Sequence, residues 1–496
     1  MLILLDWKVQ VMASQRKVGV LLGYANIIVK NVVNLLYTPM LLAFVGQGDY
    51  GVFQTANNFM VSLQLLTFGF SGAYVRFYMQ RRTVGDDVGI RKLNGMYLLV
   101  YLGICTIAVA LGLVFAFFCG FLFAGSFTSG EVSLVGSVMT VLTFNVATTL
   151  LSTVFDAYII AHERFAFQQT RQMFTTLATP GLALCLLAVG MGVVGVAMAQ
   201  LAVNLVLLAL NARYAVGKLG MRFTLKGIDG ALFKSVAAFS GWLFLNQVFD
   251  LVTMNVPSVI LAAVSGAAAV AVFAIAAALR AVFYSLSTTI SGLFVPLVNR
   301  IVAETDDNSE LTNLMVRVGR YQALMLWWVL GGFAVVGQWF VSVWAGPKYL
   351  DAYWYTLVMV VAVSVPLVQN TGIEIQKAKN KHKARSAVYL GASVVDLAVT
   401  FAFARFVGAW AAVLGYAVDM VLFWKRVLPV IIACALPAAL CAAGTLALPV
   451  VDVLGFLGWG VAYTCLCGLL QWRFVLDEGE KGQFNRLFAR LRMKGA

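Results

Sequence analysis

Apolar residues run through this chain in long blocks parted by short charged clusters, and the length of the blocks sets the first expectation. An α-helix needs about 20 predominantly apolar residues to cross the roughly 30 Å hydrocarbon core of a bilayer. About fourteen stretches of that kind can be read between the charged clusters: residues 18–45, 52–77, 93–123, 132–160, 174–189, 192–216, 233–264, 267–301, 314–344, 353–375, 386–404, 407–424, 427–450 and 454–474. The joins near Gly192 and Val407 are the weakest, because a glycine-containing turn or the single Arg405 is all that parts the neighbouring spans. Backbone polar groups in lipid must be satisfied within their own segment, so the pattern predicts an all-α polytopic membrane protein.

The blocks also repeat. Val52, Phe53, Ala56, Ser71, Gly72 and Val75 return without a gap as Val272, Phe273, Ala276, Ser291, Gly292 and Val295, a period of about 220 residues. Pro39 and Gly46 lie upstream of the first copy, and Pro257 and Gly266 upstream of the second, with a two-residue slip between them. Repeats in membrane transporters build two similar lobes, place the ligand near the bilayer midplane between them, and work by rocking one against the other. The expected division is a first lobe over residues 1–220 with spans one to six, a second over 221–426 with spans seven to twelve, and a remainder over 427–496 with two further spans and a cytoplasmic tail.

Composition agrees with the solvent inferred from the blocks: 61% of residues are hydrophobic, 11% are charged, and mean hydropathy is +0.90. Basic residues cluster at every second connection, among them Arg81 with Arg82, Arg164 with Arg171, Lys218 with Arg222, and the run from Lys377 to Arg385. Cytoplasmic loops of membrane proteins carry that excess, so both termini are expected in the cytoplasm. Topology then accounts for the net charge of +14. No nucleic-acid partner is expected, because the charge is not gathered into one patch; attraction to anionic membrane lipids is.

Motifs for chemistry are sparse. The seven cysteines fall in or beside apolar spans without zinc-site spacing, and the two histidines, His162 and His382, sit in cytoplasmic connections. Neither a phosphate-binding Gly-Lys-Ser/Thr loop nor a soluble domain is visible, which favours secondary transport over an ATP-driven pump. Met1 to Leu5 is too short an apolar core for a cleavable signal, and Met12 is an alternative start.

The segments Gly23-Tyr24-Ala25-Asn26, Thr38-Pro39 with Leu41-Leu42, and Gly46-Gln47-Gly48-Asp49-Tyr50-Gly51 resemble the first two spans of bacterial oligosaccharide flippases of the O-antigen (Wzx) type. So do Gly241-Trp242-Leu243-Phe244-Leu245-Asn246, and Ala378-Lys379-Asn380-Lys381-His382-Lys383 with Arg385-Ser386, and the resemblance extends over essentially the whole chain. That family shares a superfamily with the lipid II flippase and the multidrug and toxic compound extrusion antiporters. The resemblance implies two pseudo-symmetric six-helix lobes in a V around a central cavity, the last two helices being an appendage. It implies as substrate an undecaprenyl-pyrophosphate-linked oligosaccharide turned from the cytoplasmic to the outer leaflet of the bacterial inner membrane. Other polysaccharide-assembly membrane proteins are implied as partners, and no enzymatic activity.

A pyrophosphate with sugars cannot cross hydrocarbon unaided, so charged cavity residues should sit mid-span on polar stripes. Lys30 does, with Asn26, Asn34 and Tyr37 at helical spacing, and Arg280 does, with Tyr284, Ser287 and Ser291 on its face. Either cation could instead belong to a buried ion pair that fixes helix packing. In the lipid II flippase, basic residues of the corresponding first and eighth spans hold the anionic headgroup, so the likeness implies that role for this pair. Arg76, nearer the cytoplasmic end of the second span, either guards the entrance or extends to the interface. Asp250 shares a face with Asn246, and Asp396 shares one with Thr400. Oxygen ligands of that kind suit Na⁺, and a desolvated carboxylate suits H⁺ coupling, unless these acids neutralise Arg280 or Lys30. Asp156 and Glu374, near cytoplasmic span ends, are expected to pair with neighbouring bases.

Three classes of function remain. A flippase for lipid-linked oligosaccharide leads. A multidrug cation antiporter of the same superfamily would favour an acidic, aromatic cavity over the basic stripe. A membrane glycosyltransferase or polysaccharide polymerase would ordinarily carry large, charged extracytoplasmic loops, and the outer connections here are nearly free of charge.

Overall fold

The structure, a computed structural model, describes residues 2–67, 70–123, 125–226, 230–304, 308–379, 397–398, 400–418, 437–445 and 449–475. The described residues are helical, with no strand among them. In chain order they form α1 (Leu2–Ser62), α2 (Phe70–Thr83), α3 (Asp87–Phe123), α4 (Ser129–Ala161), α5 (Phe165–Ala188), α6 (Gly192–Ala212), α7 (Gly230–Glu304), α8 (Asn308–Trp344), α9 (Asp351–Val368), α10 (Asn370–Ala378), α11 (Ala409–Val418) and α12 (Val453–Leu470). Seven stretches among them are long and apolar enough to cross a membrane, and two of these, Ala25–Thr67 and Asn255–Val295, have 43 and 41 residues. A straight helix of that length would extend about 60 Å, twice the hydrocarbon thickness, so each has to turn.

The turns fall on the repeat. Gly46 has φ 73° and ψ −179°, and breaks α1; Gly266 has φ 81° and ψ 179°, and breaks α7. That region of backbone space is essentially confined to glycine, which has no β-carbon to clash. The internal repeat read from the sequence is therefore a repeat of backbone conformation. The weak joins are also glycine turns: Gly190 and Gly192 part α5 from α6 with φ 87° and 55°, and Gly408, with φ 55°, precedes α11.

Contacts divide the chain into two compact units, Met1–Ala274 with Tyr389–Ala412, and Ile275–Val388 with Val413–Ala496. In the first, α4 is the central helix, with α3 and α6 against it and α1 packed on α4 and α5. Val135, Val138, Met139, Leu142, Val146, Leu150 and Val154 give α4 its buried face. The helix starts where the sequence supplies a cap: the Thr128 hydroxyl accepts from the Glu131 amide (3.3 Å), and the Glu131 carboxylate accepts from the Thr128 amide (2.8 Å). α3 presents Leu99, Leu102, Ile107, Leu113, Val114, Phe117, Phe118 and Phe121 outward. So wide an apolar face is a liability in water and a requirement in lipid.

Tyr74, Tyr97 and Tyr101 are fully buried where α2 meets α3. Tyr74 donates to Asn94 Oδ1 (2.6 Å), Asn94 donates to the Arg222 carbonyl (2.9 Å), and Tyr97 donates to the Phe70 carbonyl (2.8 Å). These bonds satisfy main-chain groups at the start of α2 and in the connection after α6. In the second unit, α12 docks on α8, where Tyr463 packs over Gly331, leaving no room there for a β-carbon. The expected span 353–375 is interrupted: α9 stops at Val368 and α10 resumes at Asn370, one turn after Pro366, which lacks the N–H that a continuous helix needs.

Candidate functional site

Lys30 lies on α1 with its side chain exposed, as is that of Asn34, one turn on. The remainder of the expected stripe is drawn into packing. Asn26 is 4% exposed and its amide nitrogen donates to the Gln169 carbonyl and to Gln169 Oε1, both at 3.1 Å. Tyr37 is half-buried, and Arg76 on α2 is exposed. In the second unit, Arg280 is 5% exposed, with Nη1 3.9 Å from Met359 Sδ on α9. Tyr284, one turn along, is half-buried. Asn246 and Asp250 lie in the helical backbone of α7, but their side chains are outside the described residues, as is Asp396 altogether; Thr400 is fully buried.

A polar seam that the sequence reading did not single out runs through the first unit. Asn145, Thr149, Ser152 and Asp156 recur on one face of α4 at spacings of four, three and four, which could have revealed it. Asn204 donates to Asn145 Oδ1 (2.6 Å) and to Thr149 Oγ1 (3.3 Å), and Asn211 donates to Ser152 Oγ (2.8 Å). Arg171 of α5 closes the seam, 2.7 Å from Asp156 Oδ1 and 2.8 Å from Asn211 Oδ1. Asp156 thus has the basic neighbour expected for it. Side-chain amides that bond across helices hold those helices in one arrangement.

Three turns meet within the first unit. They are the α1 break, the connection before α4 and the α7 break. Gln47 Nε2 donates to the Ala268 carbonyl (3.5 Å), and Ser126 Oγ donates to the Ala262 carbonyl (2.9 Å). A β-carbon at Gly51 would collide with the Ala267 carbonyl, and one at Gly266 would lie 2.8 Å from the Ser126 carbonyl. Glycine at 51 and 266 is what lets these backbones touch.

At the opposite end, Tyr78 of α2 meets His162, which follows α4. His162 Nδ1 is 2.8 Å from the Tyr158 carbonyl, which can only accept, so Nδ1 carries the proton and Nε2 accepts from the Tyr78 hydroxyl (3.0 Å). Burial lowers the His162 pKa from its ordinary value, and the charges of Arg82 and Arg164 lower it further, against a rise from the Tyr158 hydrogen bond. Among the described residues no group of three or more His, Cys, Asp or Glu side chains could hold a metal ion.

The family model described as "Polysaccharide biosynthesis protein" matches residues 100–354. No curated protein matches the chain. Among solved structures, the chain is similar to the lipid II flippase MurJ in an inward closed conformation, with a TM-score of 0.71 at 12% identity over 91% of this chain and 98% of that one. It is similar to a multidrug resistance MATE family transporter in an inward-facing conformation (0.58, 15% identity, 84% and 96% covered). A third similarity is to the Vibrio cholerae MATE transporter VcmN in its bent form (0.53, 14% identity, 93% and 99% covered). At these identities the likeness is one of fold.

Proposed function

The chain belongs to the polysaccharide biosynthesis protein family, and from that premise we propose that it carries a polyprenyl-pyrophosphate-linked oligosaccharide from the cytoplasmic to the outer leaflet of the bacterial inner membrane. The fold alone suits a multidrug cation antiporter equally, since both flippase and MATE structures share it. The observation that carries the choice is Lys30, exposed in the middle of an apolar span with Asn34 beside it. A bare ammonium at that depth is costly unless it faces water or an anion, and a cation carrier gains nothing from it. Lys30 and Arg280 are the residues proposed to hold the pyrophosphate, with Tyr37, Tyr284 and Asn34 near them and Arg76 toward the entrance. The polyprenyl tail stays in lipid, and the protein performs no covalent step.

The cycle is alternating access, and the meeting of the three turns supports a state closed toward the outer side. Asp250 and Asp396, with Asn246 and Thr400, are proposed to bind or relay a coupling Na⁺ or H⁺. To drive the cycle the ion must favour one cavity orientation, because equal affinity for both shifts nothing.

The test is glycan export in cells that depend on this protein. Lys30→Ala and Arg280→Ala should each reduce export while leaving insertion unchanged, and the Lys30→Arg and Arg280→Lys exchanges should be milder. Full export by both alanine variants would remove the anion site.

A further inference from the structure

The second unit contains a buried polar node that the reading above leaves unused. Ser287 of α7, fully buried, stands at its centre. Its hydroxyl donates to the Leu367 carbonyl (2.7 Å) and accepts from the amides of Gln322 (3.1 Å) and Asn370 (3.2 Å). Gln322 Nε2 also lies 3.0 Å from the Ser287 carbonyl and 2.7 Å from Ser291 Oγ. A carbonyl only accepts, so that contact fixes the amide with nitrogen toward α7 and Oε1 away from it. Gln322 Oε1 is buried and receives no hydrogen bond from any described residue, and Thr371 Oγ1 is buried without a bond as well. Both side chains are 0% exposed.

Ser287 Oγ joins Gln322 to Asn370, the neighbour of Thr371, at the interruption between α9 and α10. Pro366 deprives the Ala362 carbonyl of its helical donor, and Thr371 is the second residue of α10. Gln322 Oε1 can only accept and Thr371 Oγ1 has lone pairs to offer, and both are shut away from solvent. Leaving them bare is expensive, and an electropositive ligand completes the set. The node contains no carboxylate, so a divalent ion would bring more charge than neutral oxygens compensate. Carbonyl and hydroxyl oxygens suit a hard ion, and the freed carbonyls of a broken membrane helix are a recurrent seat for monovalent ones.

We propose that Na⁺ is held in the second unit at the break between α9 and α10, ligated by Gln322 Oε1, Thr371 Oγ1 and main-chain carbonyls of the break. The site shares no residue with Asp250, Asp396, Asn246 or Thr400. Arg280 lies two turns, roughly 10 Å, before Ser287 on one helix, and its charge opposes the ion. An anion on Arg280 relieves that opposition, so headgroup and Na⁺ strengthen each other's binding by the same factor. This coupling rests on the proposal that Arg280 meets the pyrophosphate; the site itself does not.

The experiment reads binding without transport: radiolabelled sodium and the melting temperature of the purified full chain in detergent, in NaCl against choline chloride of equal ionic strength. The wild type should bind sodium saturably and melt higher in NaCl. Thr371→Val, which keeps the shape and removes the oxygen, should weaken sodium at least about tenfold, a loss of about 1.4 kcal/mol. Gln322→Glu should strengthen it, and this variant decides the matter if Thr371→Val does not fold. The proposal is overturned if the wild type binds no sodium and melts alike in both salts, the outcome if water alone fills the node. It is overturned equally if folded Thr371→Val binds as the wild type does, or if Gln322→Glu leaves affinity unchanged. These readouts are independent of which solute the protein carries.

Discussion

Gly51→Ala probes the closure of the first unit with the smallest available change. The added methyl would meet the Ala267 carbonyl, which is backbone and cannot swing aside as a side chain can. Forcing such an overlap in a packed interface costs about 1–3 kcal/mol. If the strain exists only while the turns touch, it falls on the closed state alone and shifts the closed-to-open ratio by about 5- to 150-fold. The assay pairs Gln47→Cys with Ala268→Cys, positions linked by the 3.5 Å contact, in an otherwise cysteine-free chain. Oxidative cross-linking should be efficient with glycine at 51 and fall at least fivefold with alanine, while labelling by a membrane-impermeant maleimide from the outer side rises. Unchanged cross-linking and labelling in the alanine variant would refute the idea that the glycine is there to let the turns close.

Gly46→Ala and Gly266→Ala should both destabilise the protein, by about 1–3 kcal/mol each from backbone strain. Gly266→Ala should be the worse, because its β-carbon also crowds the Ser126 carbonyl whereas that of Gly46 meets nothing within 4 Å; thermal unfolding in detergent checks the order. His162 gives a pH dependence. Its folded pKa lies below its unfolded value near 6.5, so its neutral, hydrogen-bonded form contributes stability that is complete above about pH 6.5 and is lost as pH falls through the folded pKa. Melting measured from pH 8 to pH 5 should show that loss in the wild type and less of it in His162→Gln.

Much of this was legible in the sequence because bilayers leave few options. Apolar length marked the helices, and the echo of Gly46 at Gly266 falls on the two breaks. Polar turns hid helix starts: α5 begins at Phe165, ahead of the expected 174, because Gln168, Gln169, Arg171 and Gln172 interrupt the apolar run. What pairs with what across long separations was not legible at all. Nothing local announces that Asn26 meets Gln169 or that Arg171 closes a seam between α4 and α6. Gln322 carries no charge, so a reading that searched the spans for ionised groups passed over it, and the stop at Val368 was missed because one proline in an apolar run rarely ends a membrane helix.

The central claim is tested most directly by reconstituting the purified chain in liposomes that carry a polyprenyl-pyrophosphate-linked oligosaccharide, and by following the access of a membrane-impermeant glycosidase to the glycan. The account predicts that the protected fraction becomes accessible when the wild-type chain is present, that Lys30→Ala and Arg280→Ala slow this at least about tenfold, and that a cationic dye in the same vesicles is not moved. An unchanged protected fraction, together with dye movement driven by a proton or sodium gradient, would contradict it and assign the fold to drug export.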